Sequence, residues 1–388
     1  MSKPPSLTSP HQKKGCEQQQ SRRYFCEMLA RGVIASAILA SQQAQAHTAD
    51  LSTPEENWLD FDWVDEARRR PVPVRLYLPN QVPSQQAPLV VFSHGLGGSR
   101  NGYSYFGSYL AQHGVASLHL QHVGSDRSLW FGNIFNLVER LTNAAQDEEA
   151  LARVEDFRFA IDRLGKSHLA QRVDTSRVIA AGHSYGANTT FLVAGARVPR
   201  KGTLVDTRDH RVHAAILISA PRFYGEGNFQ EILASVDVPS LHITATGDDI
   251  RLPGFYSGVE DRLDIFTATG SKNKWLAIFN GGSHSMFTDR SATGGLFLNP
   301  QVKMATRSLS LAFIHHILHG DESALRAWQV QYTDILSEFR TPAPPVRPNT
   351  PPPENKLVPV VKPEPAPPAK PAAPPVKKEP EFSVPIAR

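Results

Sequence analysis

The sequence predicts an α/β fold, a mostly parallel central sheet flanked by helices. Three observations predict it. Between residues 47 and 340, short aliphatic and β-branched runs alternate with stretches of helical spacing. Several runs, such as "LVVFS" and "AAILIS", are apolar at every position but the last, as strands buried inside a sheet are. One run, "RVIAAG", passes through a glycine-flanked corner straight into a helical stretch.

The elements follow in order. "VRLYLP" (Val74–Pro79) alternates as an outer strand does, and Leu89–Ser93 reads as a buried strand. Tyr105–Gly114 reads as a helix closed by Gly114, and Val115–Leu120 as the next strand. Glu148–Leu164 has helical spacing and stops at Gly165. Strands are expected at Arg177–Gly182, Ala214–Ser219, Ser240–Ala245 and Lys274–Phe279. Two helices, at about Gln301–His319 and Ser323–Phe339, are expected to close the domain. No internal repeat is apparent.

The ends differ from this body. Residues 1–46 carry six Lys/Arg against two Glu, and residues 341–388 carry seven against four. The middle is left with 28 basic and 31 acidic residues, so the core has no nucleic-acid footprint. The first 46 residues read as a signal peptide: a basic stretch, the apolar run "GVIASAILA", then Ala44-Gln45-Ala46 as a cleavage pattern. That run is too short to span a bilayer. Ser21-Arg22-Arg23-Tyr24-Phe25 is similar to a twin-arginine signal, so a periplasmic or secreted protein is expected. Both cysteines, Cys16 and Cys26, fall in this segment, and the body, residues 47–340, has neither disulfide nor thiolate chemistry. Seventeen of residues 341–388 are proline, which predicts a disordered tail, a spacer or a ligand for a proline-binding partner.

The corner is Gly182-His183-Ser184-Tyr185-Gly186. A serine hydroxyl is a poor nucleophile at neutral pH; it needs a base in hydrogen-bond reach and donors for the oxyanion that forms on attack. A tight strand-to-helix turn lifts Ser184 above the sheet, and the flanking glycines remove Cβ atoms that would strike neighbouring backbone. Partners are expected in the order Ser, Asp, His. Asp248 follows the strand in "LHITATGD", with Asp249 as its rival one residue on; either could instead cap a turn. His284, in the glycine-rich "NGGSHSMF" after the last parallel strand, is the expected base. The backbone amides of Leu96, in "FSHGLGG", and of Tyr185 are the expected oxyanion donors.

Together "SHGLGG", "GHSYGA", "TATGDD" and "GGSHSMF" resemble the α/β-hydrolase superfamily over about residues 70–320. Within it they look most like bacterial relatives of platelet-activating-factor acetylhydrolase, often catalogued as predicted dienelactone hydrolases. The resemblance implies a serine esterase or lipase with Ser184 as nucleophile and His284 as base. Two positions depart from the pattern. True dienelactone hydrolases carry cysteine at the elbow. In the animal acetylhydrolases the acid follows the strand after the elbow, where "AAILISAP" offers no Asp.

The excursion Gln121–Ala145 is long enough to be a lid-like insertion or substrate wall, with Trp130, Phe131 and Phe135 against an acyl chain or packed onto the body. His315 and His319 have metal-binding spacing but lack an evident third ligand. His94 and His183 read as polar lining. The expected activity is hydrolysis of short-chain or lipid acyl esters through an acyl-enzyme, with no cofactor. The alternatives are an acyltransferase or polyester hydrolase on the same fold, or a non-catalytic binding protein.

Overall fold

A computed structural model describes residues 58–342 apart from 81–84, 132, 134–135, 224–227, 253–254 and 291–294. The expected signal peptide, nearly all of the proline-rich tail and Phe135 lie outside the described residues. The strands are β1 Trp58–Asp65, β2 Arg70–Tyr77, β3 Ala87–Ser93, β4 Ala116–Leu120, β5 Val173–His183, β6 Arg197–Arg200, β7 Thr203–Asp206, β8 Val212–Ile218, β9 Ser240–Ala245, β10 Ile250–Leu252, β11 Phe255–Ser257, β12 Lys274–Phe279 and β13 Leu336–Arg340. The helices are α1 Ser104–Gln112, α2 Leu137–Ala144, α3 Asp147–Gly165, α4 Tyr185–Ala194, α5 Phe229–Leu233, α6 Val259–Ala268, α7 Leu298–His319 and α8 Ser323–Gln331.

Nine strands form one sheet in the order β1-β2-β4-β3-β5-β8-β9-β12-β13. The six from β4 to β12 are parallel, and β1, β2 and β13 add antiparallel edges. Parallel neighbours need crossovers, and helices supply them on both faces. Strand β3 shows how the sequence encodes this. Leu89 and Val91 point to the face covered by Phe157 and Leu164 of α3 and Phe191 of α4. Val90 and Phe92 point to the face covered by Phe106 and Leu110 of α1 and Leu309 and Phe313 of α7. A strand with a core on each side has no polar face, hence the unbroken apolar run.

Two expectations change at the edges. Ser323–Phe339 is not one helix: α8 stops at Gln331, a 3₁₀ turn follows, and Leu336–Arg340 pairs with β12 as β13. The open edge of β12 gains a partner, and Phe339 packs 5.3 Å from Trp328 of α8. The outer strand near Val74 is one arm of a hairpin whose other arm, β1, alternates Leu59, Phe61 and Trp63 with Asp60 and Asp62, a strand pattern outside the elements expected above. Phe61 and Trp63 pack against the core, Arg100 pairs with Asp62 at 2.6 Å, and Arg75 lies 3.6 Å over the Trp58 ring and pairs with Asp60 at 2.8 Å.

Among the described residues, no helix is long and apolar enough to cross a membrane.

Candidate active site

Strand β5 ends at His183 and α4 begins at Tyr185, so Ser184 alone makes the turn, with φ 55° and ψ −124°. A non-glycine residue there costs about 1–3 kcal/mol and persists only where its surroundings hold it. They do: Ser184 N–H donates to Ile218 O of β8 at 3.0 Å. The glycines are steric necessities. A Cβ on Gly186 would stand 1.9 Å from Ser93 O, and one on Gly182 2.2 Å from Gly186 O.

The loop after β12 brings His284 over this corner. Ser184 Oγ–H donates to His284 Nε2 at 2.8 Å, and His284 Nδ1–H donates to Asp248 Oδ1 at 2.8 Å. Asp248 is fully buried in the turn after β9. Thr244 donates to its Oδ2 at 2.7 Å, Ser219 donates to the same oxygen, and Arg262 reaches Oδ1 at 3.4 Å. Burial alone would raise this carboxyl's pKa. His284, Arg262 and the Ser219 hydroxyl outweigh it and hold the group below the usual carboxylate range. Asp249 faces the other way, lines the cleft and accepts from Tyr256 Oη at 3.1 Å. Of the two aspartates left open by the sequence, only Asp248 meets the imidazole.

Ser219 was not foreseen. It sits where β8 ends, in left-handed conformation (φ 56°), with Oγ 2.9 Å from His284 Nδ1. The strand after the elbow thus still reaches the imidazole, through a serine that braces Asp248. No spacing rule marks such a residue; only the register of β8 and β9 does.

His183 and His94 are both buried and hydrogen-bonded through each ring nitrogen. A carbonyl only accepts, so His183 Nε2–H donates to His284 O at 3.0 Å, and Nδ1 accepts from Tyr103 Oη at 2.9 Å. Burial pushes His183 down to about 3, which keeps it neutral. His94 Nδ1–H donates to Gly95 O at 2.7 Å and Nε2 accepts from His122 N–H at 3.1 Å.

Next to Ser184 runs the loop after β3. Gly95 N–H points to Tyr103 Oη, Gly97 N–H to Ser125 O and Gly98 N–H to Gly95 O. Among the described residues none accepts from Leu96 N–H. Tyr185 N–H is the first amide of α4, where no helical carbonyl precedes it. Both Leu96 and Tyr185 line a cleft of about 510 Å³ together with Ser184 and His284. The helix start adds its partial positive charge on the same side.

Part of the insertion walls this cleft. Arg127 N–H donates to Gly98 O at 2.7 Å, which zips the loop after β4 to the loop after β3. Trp130 lines the cleft and donates from Nε1 to Gly97 O at 3.0 Å. A Cβ on Gly97 would lie 2.4 Å from that indole. Phe131, expected beside it, is 68% exposed and lies off the cleft, because the 3₁₀ turn ends at Trp130 and the next residue is extended. His315 and His319 meet edge to face one turn apart on α7, and no cluster of three metal-binding side chains occurs among the described residues.

Residues 72–151 match the family described as platelet-activating factor acetylhydrolase, isoform II. The match runs from β2 into α3, taking in the loop with Leu96 and the insertion with Trp130, and stops before the serine corner. No curated protein matches the chain. Over residues 72–151 the chain is thus similar to the platelet-activating-factor acetylhydrolase family, and the sheet order above is that of an α/β fold.

Proposed function

We propose that the protein is a serine carboxylic-ester hydrolase working through Ser184, His284 and Asp248. The observation that carries this reading is the unbroken chain of two 2.8 Å hydrogen bonds from Ser184 Oγ through His284 to Asp248, opening on the cleft. His284 Nε2 takes the Ser184 proton as Oγ bonds to the ester carbonyl carbon. The carbonyl oxygen becomes an oxyanion facing the amides of Leu96 and Tyr185. Asp248, buried and ionised, stabilises the imidazolium and fixes its tautomer. Collapse breaks the ester C–O bond, and the imidazolium protonates the departing alkoxide. Water then attacks the acyl-enzyme, giving its proton to His284, and the acid leaves as Ser184 is restored.

The match to the acetylhydrolase family supports an esterase-type activity on small-molecule esters, and the Trp130 wall favours short acyl groups. The N-terminal segment suits an exported enzyme, periplasmic or secreted. The test is a panel of p-nitrophenyl esters with purified protein. Turnover is expected for wild type, with a loss of about 10⁴-fold or more for Ser184→Ala. Hydrolysis surviving in Ser184→Ala overturns the assignment.

A further inference from the structure

Among the described residues, the largest side chain wholly enclosed in the fold is a cation, Arg153 of α3. Each of its bonding nitrogens has a different partner. Nη2 donates to His94 O at 2.5 Å, Nη1 to Ser125 Oγ at 2.8 Å and Nε to Thr189 Oγ1 at 2.9 Å. Its guanidinium carbon lies 4.6 Å over the ring of Tyr185. Among the described residues no carboxylate pairs with it directly. Glu149 is reached only through Ser125, whose Oγ–H donates to Oε1 at 2.8 Å. A guanidinium stays charged in proteins, and an enclosed charge without a counter-ion in contact is costly to maintain. The three bonds and the aromatic face offset part of that cost.

The partners share one property: each holds an amide expected to face the oxyanion. His94 O begins the loop that carries Leu96. Ser125 gives its carbonyl to Gly97 N–H at 2.8 Å, on the other side of Leu96. Thr189 gives its hydroxyl hydrogen to Tyr185 O at 3.2 Å, and the Tyr185 ring lies against the guanidinium itself. One planar group thus ties the loop after β3, the loop after β4 and the first turn of α4.

We propose that Arg153 is the positioning residue of the oxyanion hole. It holds the Leu96 and Tyr185 amides in mutual register and sets a buried positive charge behind them as negative charge develops on the substrate oxygen. The inference rests on the ester-hydrolase reading and adds a residue that touches neither substrate nor triad. A lysine ammonium is a single point and cannot span the three acceptors in one plane.

The experiment compares wild type, Arg153→Lys, Arg153→Met and Thr189→Val, with rates expressed per site titrated by a fluorophosphonate. For both Arg153 variants kcat is expected to fall about 10- to 100-fold with KM within about threefold. The Ki of a trifluoromethyl ketone, whose hemiketal oxygen occupies the hole, is expected to rise by the same factor as kcat/KM falls. Thr189→Val, which removes one bond of three, is expected to show a smaller loss of the same kind. It remains decisive if the Arg153 variants do not fold. A lower Tm with kcat per titrated site unchanged in the folded variants overturns the proposal and leaves Arg153 a packing residue. An inactive wild type overturns the hydrolase reading itself, whereas an active wild type with a fully active Arg153→Lys overturns this inference alone.

Discussion

Lowering the pH from 8 to 5.5 should destabilise this protein far more than its surface charges would. Five histidines, His94, His119, His122, His183 and His242, are buried and held neutral. Burial brings His119, His183 and His242 down to about 3, and His94 and His122 well below the ordinary value. In the unfolded chain each titrates near 6.5. A folded pKa below the unfolded one gives stability that is complete above about pH 6.5 and lost as the pH falls towards the folded value. Asp156 and Glu149, raised by burial, act in the opposite sense and remove at most two protons from the balance. Unfolding near pH 5 should therefore take up roughly three to five protons, a slope of about 4–7 kcal/mol per pH unit. Integrated from pH 8 to 5.5 the loss is about 4–7 kcal/mol, comparable to the whole stability of an ordinary domain. Urea unfolding at pH 8, 6.5 and 5.5 measures it. His242→Gln, remote from Ser184 and with its Nε2 bonded to Ser240 Oγ at 3.0 Å, should lower the slope by about one proton. A slope below about one proton in the wild type would refute the reasoning, since the imidazoles would then have to protonate within the fold.

Two further predictions concern the cleft. Asp248→Asn should lower kcat by about 10³–10⁴-fold while Asp249→Asn stays within about threefold, because only Asp248 meets His284; a larger loss at Asp249 in steady-state assays would reverse the assignment. Trp130→Ala should raise kcat/KM for octanoyl relative to acetyl p-nitrophenyl esters, since each methylene newly accommodated is worth about 0.8 kcal/mol; an unchanged chain-length profile would show that the indole is no wall.

What the sequence announces here is what local chemistry determines. Gly182, Ser184 and Gly186 declare a corner because a Cβ on Gly186 would stand 1.9 Å from Ser93 O and one on Gly182 2.2 Å from Gly186 O. The parallel strands declare themselves because burial on both faces leaves them apolar throughout. Contacts between distant segments stay hidden. Asp248 and Asp249 are equivalent until β9 and β12 are in register, and only then does one of them face His284. Residues 336–340 continue a helical pattern, yet the unpaired edge of β12 draws them into the sheet. Ser219 and Arg153 gain their meaning from partners 29 to 65 and 28 to 59 residues away, a range no periodicity encodes. Phe131 shows the converse: an aromatic beside Trp130 in sequence points to solvent because the backbone passes from 3₁₀ at Trp130 to extended at Phe131.

The most direct test of the account is the site and stoichiometry of covalent capture. Purified protein treated with a fluorophosphonate should gain one phosphonyl group per chain, and peptide mass spectrometry should place it on Ser184, with capture lost in Ser184→Ala and strongly slowed in His284→Ala. Labelling of another residue, or capture undiminished in Ser184→Ala, would contradict the claim that this serine is the nucleophile.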